Sequence, residues 1–177
     1  AVEGVSPRPL IATKCGLVPD GKGDVYRNSR PESIRAEAEE SLRRLRTDCI
    51  DLYQIHWHDE SVPVEDAWGT LVRLRDEGKV RYIGVSNYDV PLLKRCLAIA
   101  PVQSLQPPYS LIARHYEAET LPFCAEHGIG VIVYSPMQSG LLTGRFDVTK
   151  LAADDWRHKS SLFRNPELPQ ALRFVEE

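Results

Sequence analysis

Apolar positions along this chain switch between a period of two and a spacing of three or four, and the switching predicts alternating strands and helices. Residues 10–14 read as a strand, and residues 15–30 as a long Gly-rich, polar loop. Pro31, followed by Ile34, Ala38, Leu42 and Leu45, predicts an amphipathic helix to about Arg46. The short β-branched and aromatic run 50–55 predicts a buried parallel strand. Pro63 opens a second helix whose buried stripe is Ala67, Trp68, Leu71, Val72 and Leu74, with Gly78 as its stop. A strand at 80–86, a helix at 88–99, a strand at 102–106 broken by Pro107 and Pro108, a helix at about 117–127 and a fifth strand at 130–135 follow. The tail holds a loop around Gly140 and Gly144, a polar segment with Trp156, and a helix beginning near Pro166.

Strands and helices in such alternation imply a parallel sheet with right-handed crossovers. An open dinucleotide-binding sheet carries Gly-x-Gly-x-x-Gly after its first strand; here Gly21-Lys22-Gly23 lies in a loop and lacks the third glycine. Polar residues instead recur where strands end: Lys14, His56, Ser86 with Asn87, Gln106, and Tyr134 with Ser135. In a (β/α)8 barrel that is the catalytic rim. Within the central strand, period two aligns Leu52, Gln54 and His56 on one face and Tyr53, Ile55 and Trp57 on the other. A complete barrel takes about 250 residues, so the expectation is an α/β partial (β/α)8 TIM barrel, one incomplete domain over 1–177 with about three strands missing.

Composition narrows the partners. With 42% hydrophobic and 27% charged residues and a formal net charge of -3, the chain is of ordinary globular type and offers no electrostatic reason to bind nucleic acid or an anionic membrane. Cys15, Cys49, Cys96 and Cys124 are far apart, with no Cys-x-x-Cys pair, so a disulfide framework or zinc knuckle is not expected and a reducing cytoplasm fits. No apolar run reaches membrane-spanning length. A start at Ala1, close to a strand, suggests a piece of something longer.

Five segments together resemble the aldo-keto reductases: Ile-Ala-Thr-Lys at 11–14, Asp-Leu-Tyr-Gln-Ile-His-Trp at 51–57, Gly-Val-Ser-Asn-Tyr at 84–88, Gln-Pro-Pro-Tyr-Ser-Leu at 106–111 and Val-Tyr-Ser-Pro-Met at 133–137. Gly-Leu-Leu-Thr-Gly at 140–144 is similar to the bacterial and channel-subunit-like branches. The resemblance implies a span from the third barrel strand to the start of the seventh helix. It also implies NAD(P)H-dependent reduction of a small-molecule aldehyde or ketone, with NADPH as the cofactor and NADH left open.

By the same resemblance, Lys14 corresponds to the lysine that tunes a catalytic tyrosine and His56 to the histidine that orients the carbonyl. Ser86, Asn87 and Gln106 correspond to the binders of the nicotinamide carboxamide, and Tyr134 to the ring's stacking partner. Ser135, Met137, Ser139, Gly140 and Leu141 fall in the pyrophosphate loop, and Trp57 and Tyr109 on substrate-pocket walls. The family's tyrosine and its aspartate precede the third strand, and none of the seven tyrosines here precedes Lys14. The 177-residue chain by itself is therefore expected to be inactive. Two alternatives stand beside this reading: a nicotinamide-binding partner module like a potassium-channel β subunit, and a metal-dependent hydrolase using His56-Trp57-His58. The substrate, the oligomeric state and the choice between cofactors are not legible in the sequence.

Overall fold

The structure is a computed structural model that describes residues 5–176. They fall into two compact units: residues up to Pro107 together with Tyr116–Ile132, and Pro108–His115 together with the residues from Val133 onward.

In the first unit, β1 (Ala12–Cys15) is followed by a hairpin of β2 (Leu17–Pro19) and β3 (Val25–Arg27), then α1 (Pro31–Leu45) and β4 (Ile50–Ile55). After these come α2 (Val64–Asp76), β5 (Val80–Ser86), α3 (Val90–Leu97), β6 (Ser104–Gln106), α4 (Thr120–Glu126) and β7 (Gly130–Val131). Five strands make one sheet in the order β1-β4-β5-β6-β7, every neighbouring pair parallel. That order, with a helix between successive strands, is the arrangement of a partial (β/α)8 barrel.

Register sorts the side chains into levels. Ala12 pairs with Leu52 and Leu52 with Tyr82; one pleat on, Lys14, Gln54, Gly84, Ser104 and Gly130 run in line across the sheet. Ser86 and Gln106 form the next level. The opposite face carries Tyr53, Ile55, Ile83, Val85 and Leu105, all fully buried with Ile34, Ala38, Trp68, Leu71, Leu74 and Leu93. Each such large side chain contributes about 1.5–3 kcal/mol by leaving water. Their polar atoms are met as well: the Tyr53 hydroxyl donates to the Ile34 carbonyl at 3.3 Å and the Trp68 indole to the Ala100 carbonyl at 3.3 Å.

The principal departures from the sequence pattern lie in connections. Residues 15–30 contain an antiparallel hairpin rather than irregular loop, its turn organised by Asp20, whose carboxylate accepts from the Lys22 and Asp24 amides at 2.7 and 3.0 Å. α3 begins at Val90, because the Asp89 side chain accepts from the Leu92 amide and caps the helix there. The fifth strand stops at Val131 instead of residue 135. Pro107 and Pro108 on the neighbouring segment have no N–H to donate, which ends the ladder.

In the second unit, Pro108 and Tyr134 meet in an isolated parallel bridge. 3-10 turns follow at Gln138–Thr143, Val148–Lys150, Trp156–Lys159 and Ser161–Phe163, then α5 (Glu167–Glu176). Leu141, Phe163, Leu168 and Ala171 form its small apolar core.

Candidate active site

Lys14 and His56 lie on the same face of adjacent strands, because Lys14 registers with Gln54, two residues before His56. The His56 amide donates to the Cys15 carbonyl at 2.9 Å, which fixes where its ring leaves the sheet. Burial, and after it the Lys14 ammonium, holds the His56 imidazole below its ordinary pKa. A ring poised this way stays neutral at neutral pH and keeps one N–H to donate.

The next two strand ends are tied to it. The Ser86 hydroxyl, buried, donates to the Gln106 carbonyl at 2.7 Å, and the Asn87 amide donates to the same carbonyl at 3.1 Å. The Asn87 side-chain amide donates to the His56 carbonyl at 3.1 Å and to the Ser86 oxygen at 3.0 Å. Asn87 has φ 61, a left-handed backbone that asparagine tolerates better than most residues, and this turn is what aims its side chain back across the strand ends. Among the described residues the half-buried Gln106 side-chain amide has no hydrogen-bond partner, leaving a donor and an acceptor beside Ser86.

One level lower the sheet is closed. The buried Gln54 amide donates to Ser104 at 3.0 Å, and Gly84 sits between them because a Cβ there would lie 2.1 Å from the Ser104 hydroxyl and 2.6 Å from its carbonyl oxygen. Towards the starts of the strands, Leu10, Leu52, Tyr82 and Ile132 line an apolar cavity of about 470 Å³.

Trp57 and His58 continue past β4 and are held from two sides. The Arg27 guanidinium lies 5.0 Å from the Trp57 ring centroid and donates to the His58 carbonyl at 3.2 Å. The buried Asp59 carboxylate accepts from the Ser29 amide at 3.2 Å, the Ser61 amide at 3.0 Å and the Ser61 hydroxyl at 2.7 Å. Burial alone would raise the Asp59 pKa, but these donors outweigh it and keep the carboxylate below its usual range.

The remaining sequence-derived candidates belong to the second unit. Tyr134 is half-buried, its phenol pKa raised by burial, and its carbonyl accepts from the Tyr109 amide at 3.3 Å. Ser135, Gln138, Ser139 and Gly140 have φ of 54, 45, 52 and 99, so this loop repeatedly turns through the left-handed region, the geometry from which anion-accepting backbone nests are built. Met137 is exposed and Leu141 fully buried. Arg157, gripped by Asp155 at 2.7 Å, donates to the Ser139 carbonyl at 3.0 Å and braces the loop.

Lys14, His56, Ser86, Asn87 and Gln106 are thus brought to one end of one sheet, while Tyr109, Tyr134, Ser135, Met137, Ser139, Gly140 and Leu141 share the second unit. Gln54, Arg27, Asp59 and Arg157 are additions. Alternation places Gln54 on the inner face, but no pattern around Arg27 or Arg157 signals their contacts. Among the described residues no group of three or more His, Cys, Asp or Glu is placed to hold a metal ion, and no helix is long and apolar enough to cross a membrane.

A family model described as "Aldo/keto reductase family" matches residues 3–176. The chain is 36% identical over 176 residues to aldo-keto reductase YhdN of Bacillus subtilis, covering 98% of this chain and 53% of that protein. It is 40% identical over 147 residues to the NADH-specific methylglyoxal reductase of Escherichia coli, covering 76% of this chain and 45% of that one. The solved glycerol dehydrogenase AKR11B4 of Gluconobacter oxydans superposes with a TM-score of 0.86 at 37% identity, over 94% of this chain and 53% of its own. The chain spans about half the length of the curated relatives it matches.

Proposed function

The chain belongs to the aldo/keto reductase family, and from that premise we propose that it is the central part of an NAD(P)H-dependent reductase that converts an aldehyde or ketone to an alcohol. The observation that carries the reading is the hydrogen-bonded joining of three strand ends through His56, Ser86, Asn87 and Gln106, with Lys14 on the same face. A nicotinamide carboxamide needs a donor for its oxygen and acceptors for its two N–H groups, and the open Gln106 amide with its Ser86 and Asn87 neighbours has that chemistry. When bound, the reduced nicotinamide supplies the hydride.

The chain's own residues supply the surroundings. His56, neutral for the reasons given, donates its N–H to the carbonyl oxygen of the substrate and fixes the direction from which the carbon is approached. Lys14 keeps positive charge beside the position where that oxygen gains its proton, and it lowers the pKa of the family's tyrosine acid, which this chain does not include. Ser86, Asn87 and Gln106 hold the carboxamide, Tyr134 stacks on the ring, and Ser135, Met137, Ser139, Gly140 and Leu141 make the pyrophosphate loop. Trp57 and Tyr109 wall the substrate pocket.

NADPH is the proposed cofactor and the cytoplasm the proposed location. One relative is named as NADH-specific, so the ratio of kcat/KM for the two cofactors is the measurement that decides. The test uses the full-length protein containing this chain, with 4-nitrobenzaldehyde and loss of nicotinamide absorbance. Turnover that falls at least a hundredfold in Lys14→Met is expected; an inactive full-length protein that still binds the cofactor would favour a partner module instead.

A further inference from the structure

β3 ends in Arg27, and that side chain reaches out of the hairpin to the segment following β4. Its guanidinium stacks on Trp57 at 5.0 Å from the ring centroid, and its Nη1 donates to the carbonyl of the next residue, His58, at 3.2 Å. A planar guanidinium can do both at once, lying against a π face while its edge donates; an ammonium cannot. The hairpin from which it projects is itself fixed at the base. The Gly16 amide donates to both Glu37 carboxylate oxygens at 3.2 and 3.1 Å, the Asn28 amide donates to the Gly16 carbonyl at 3.2 Å, and the Ser29 amide reaches Asp59. Gly16 has φ +87, and a Cβ on it would be 3.7 Å from Ile55 and 3.9 Å from the Trp57 carbonyl, so hairpin and strand end are in close contact.

We propose that Arg27 is a positioning residue for substrate specificity: it clamps one face of the Trp57 indole and so presents the other face as a rigid wall for flat aromatic carbonyl compounds. The inference rests on the reductase reading for the substrate, and on geometry alone for the clamp. Trp57 directly follows His56, so a wall fixed in angle sets which shapes can lie with their carbonyl at the imidazole. A planar aldehyde gains a large contact area against a fixed indole, and a short aliphatic one gains little. Without the clamp the indole samples several rotamers, and ordering it again must be done by each bound substrate.

Two measurements on the full-length protein test this. With 5-fluorotryptophan incorporated, each of this chain's three tryptophans gives a fluorine resonance, and the single variants Trp57→Phe, Trp68→Phe and Trp156→Phe identify them. In Arg27→Met that resonance shifts or broadens while those of Trp68 and Trp156 stay in place, and Arg27→Lys gives an intermediate position. In parallel, KM for 4-nitrobenzaldehyde rises about three- to tenfold in Arg27→Met, with kcat within about twofold and KM for propionaldehyde nearly unchanged. An unmoved Trp57 resonance overturns the clamp whatever the activity. A moved resonance with equal KM changes for both aldehydes overturns the specificity role. If the unmutated protein turns over neither aldehyde, the reductase reading fails by itself, and the fluorine spectrum still decides whether Arg27 holds Trp57.

Discussion

The titration of His56 is set by two neighbours that can be separated. Burial is the larger influence and Lys14 the smaller, both favouring the neutral ring. Lys14→Met should therefore raise the His56 midpoint part of the way towards the ordinary value of about 6.5 without reaching it, as read from the imidazole C2 proton by NMR. The linked stability has a definite sign. Below about pH 6.5 the unfolded chain binds a proton at this position that the folded one resists, so the His56 contribution destabilises as pH falls through that range. Gly84 makes the sharper steric prediction. Alanine there should cost about 3 kcal/mol in urea unfolding, and Ser104→Ala should not rescue it, because the Ser104 carbonyl oxygen remains 2.6 Å from the new carbon.

Regular elements were legible because burial imposes a period on them. Strands 50–55 and 80–86 and the helix from Pro31 stand where their apolar positions put them, and the inner face inferred from alternation is the one that carries Gln54. The hairpin was not legible. Its strands have three residues each, Val25, Tyr26 and Arg27 are all exposed, and what shapes it is Asp20 bonding to nearby amides, so no core-facing repeat exists to be read. The 3-10 turns of the second unit escaped for the same reason, being held by local capping, as where Asp147 and Asp155 accept from amides two residues on. Strand-end polar residues could be picked out by position, whereas the bonds among them depend on the left-handed turn at Asn87, which a sequence pattern does not specify. At this scale the loop after β4 offers a test: Asp59→Ala should lose about 2 kcal/mol in thermal unfolding and increase hydrogen exchange at the Ser29 and Ser61 amides, with the core strands still protected.

For the first unit as a whole, Asp51 is the fastening at the starts of the strands. It accepts from the Ile11 amide at 2.9 Å and is paired with Arg8 at 2.8 Å and Arg81 at 3.1 Å. Burial pulls its pKa up, but these partners prevail and hold it below the usual carboxylate value. Asp51→Asn should cost about 2–3 kcal/mol at pH 7. The stabilisation is complete above about pH 3.9 and disappears as pH drops through the depressed folded value. Urea midpoints of the two proteins should therefore converge in strong acid and separate near neutrality.

The Gln54–Ser104 pair over Gly84 gives the sheet a solid underside directly below the strand ends that carry the proposed site. For the proposed reductase, new substrate preferences would then be sought by redesigning the hairpin with Arg27 and the stretch from Trp57 to Ser61, while the polar level of Gly84 is left alone. Randomised libraries confined to those two segments should return folded variants far more often than libraries aimed at the level of Gly84.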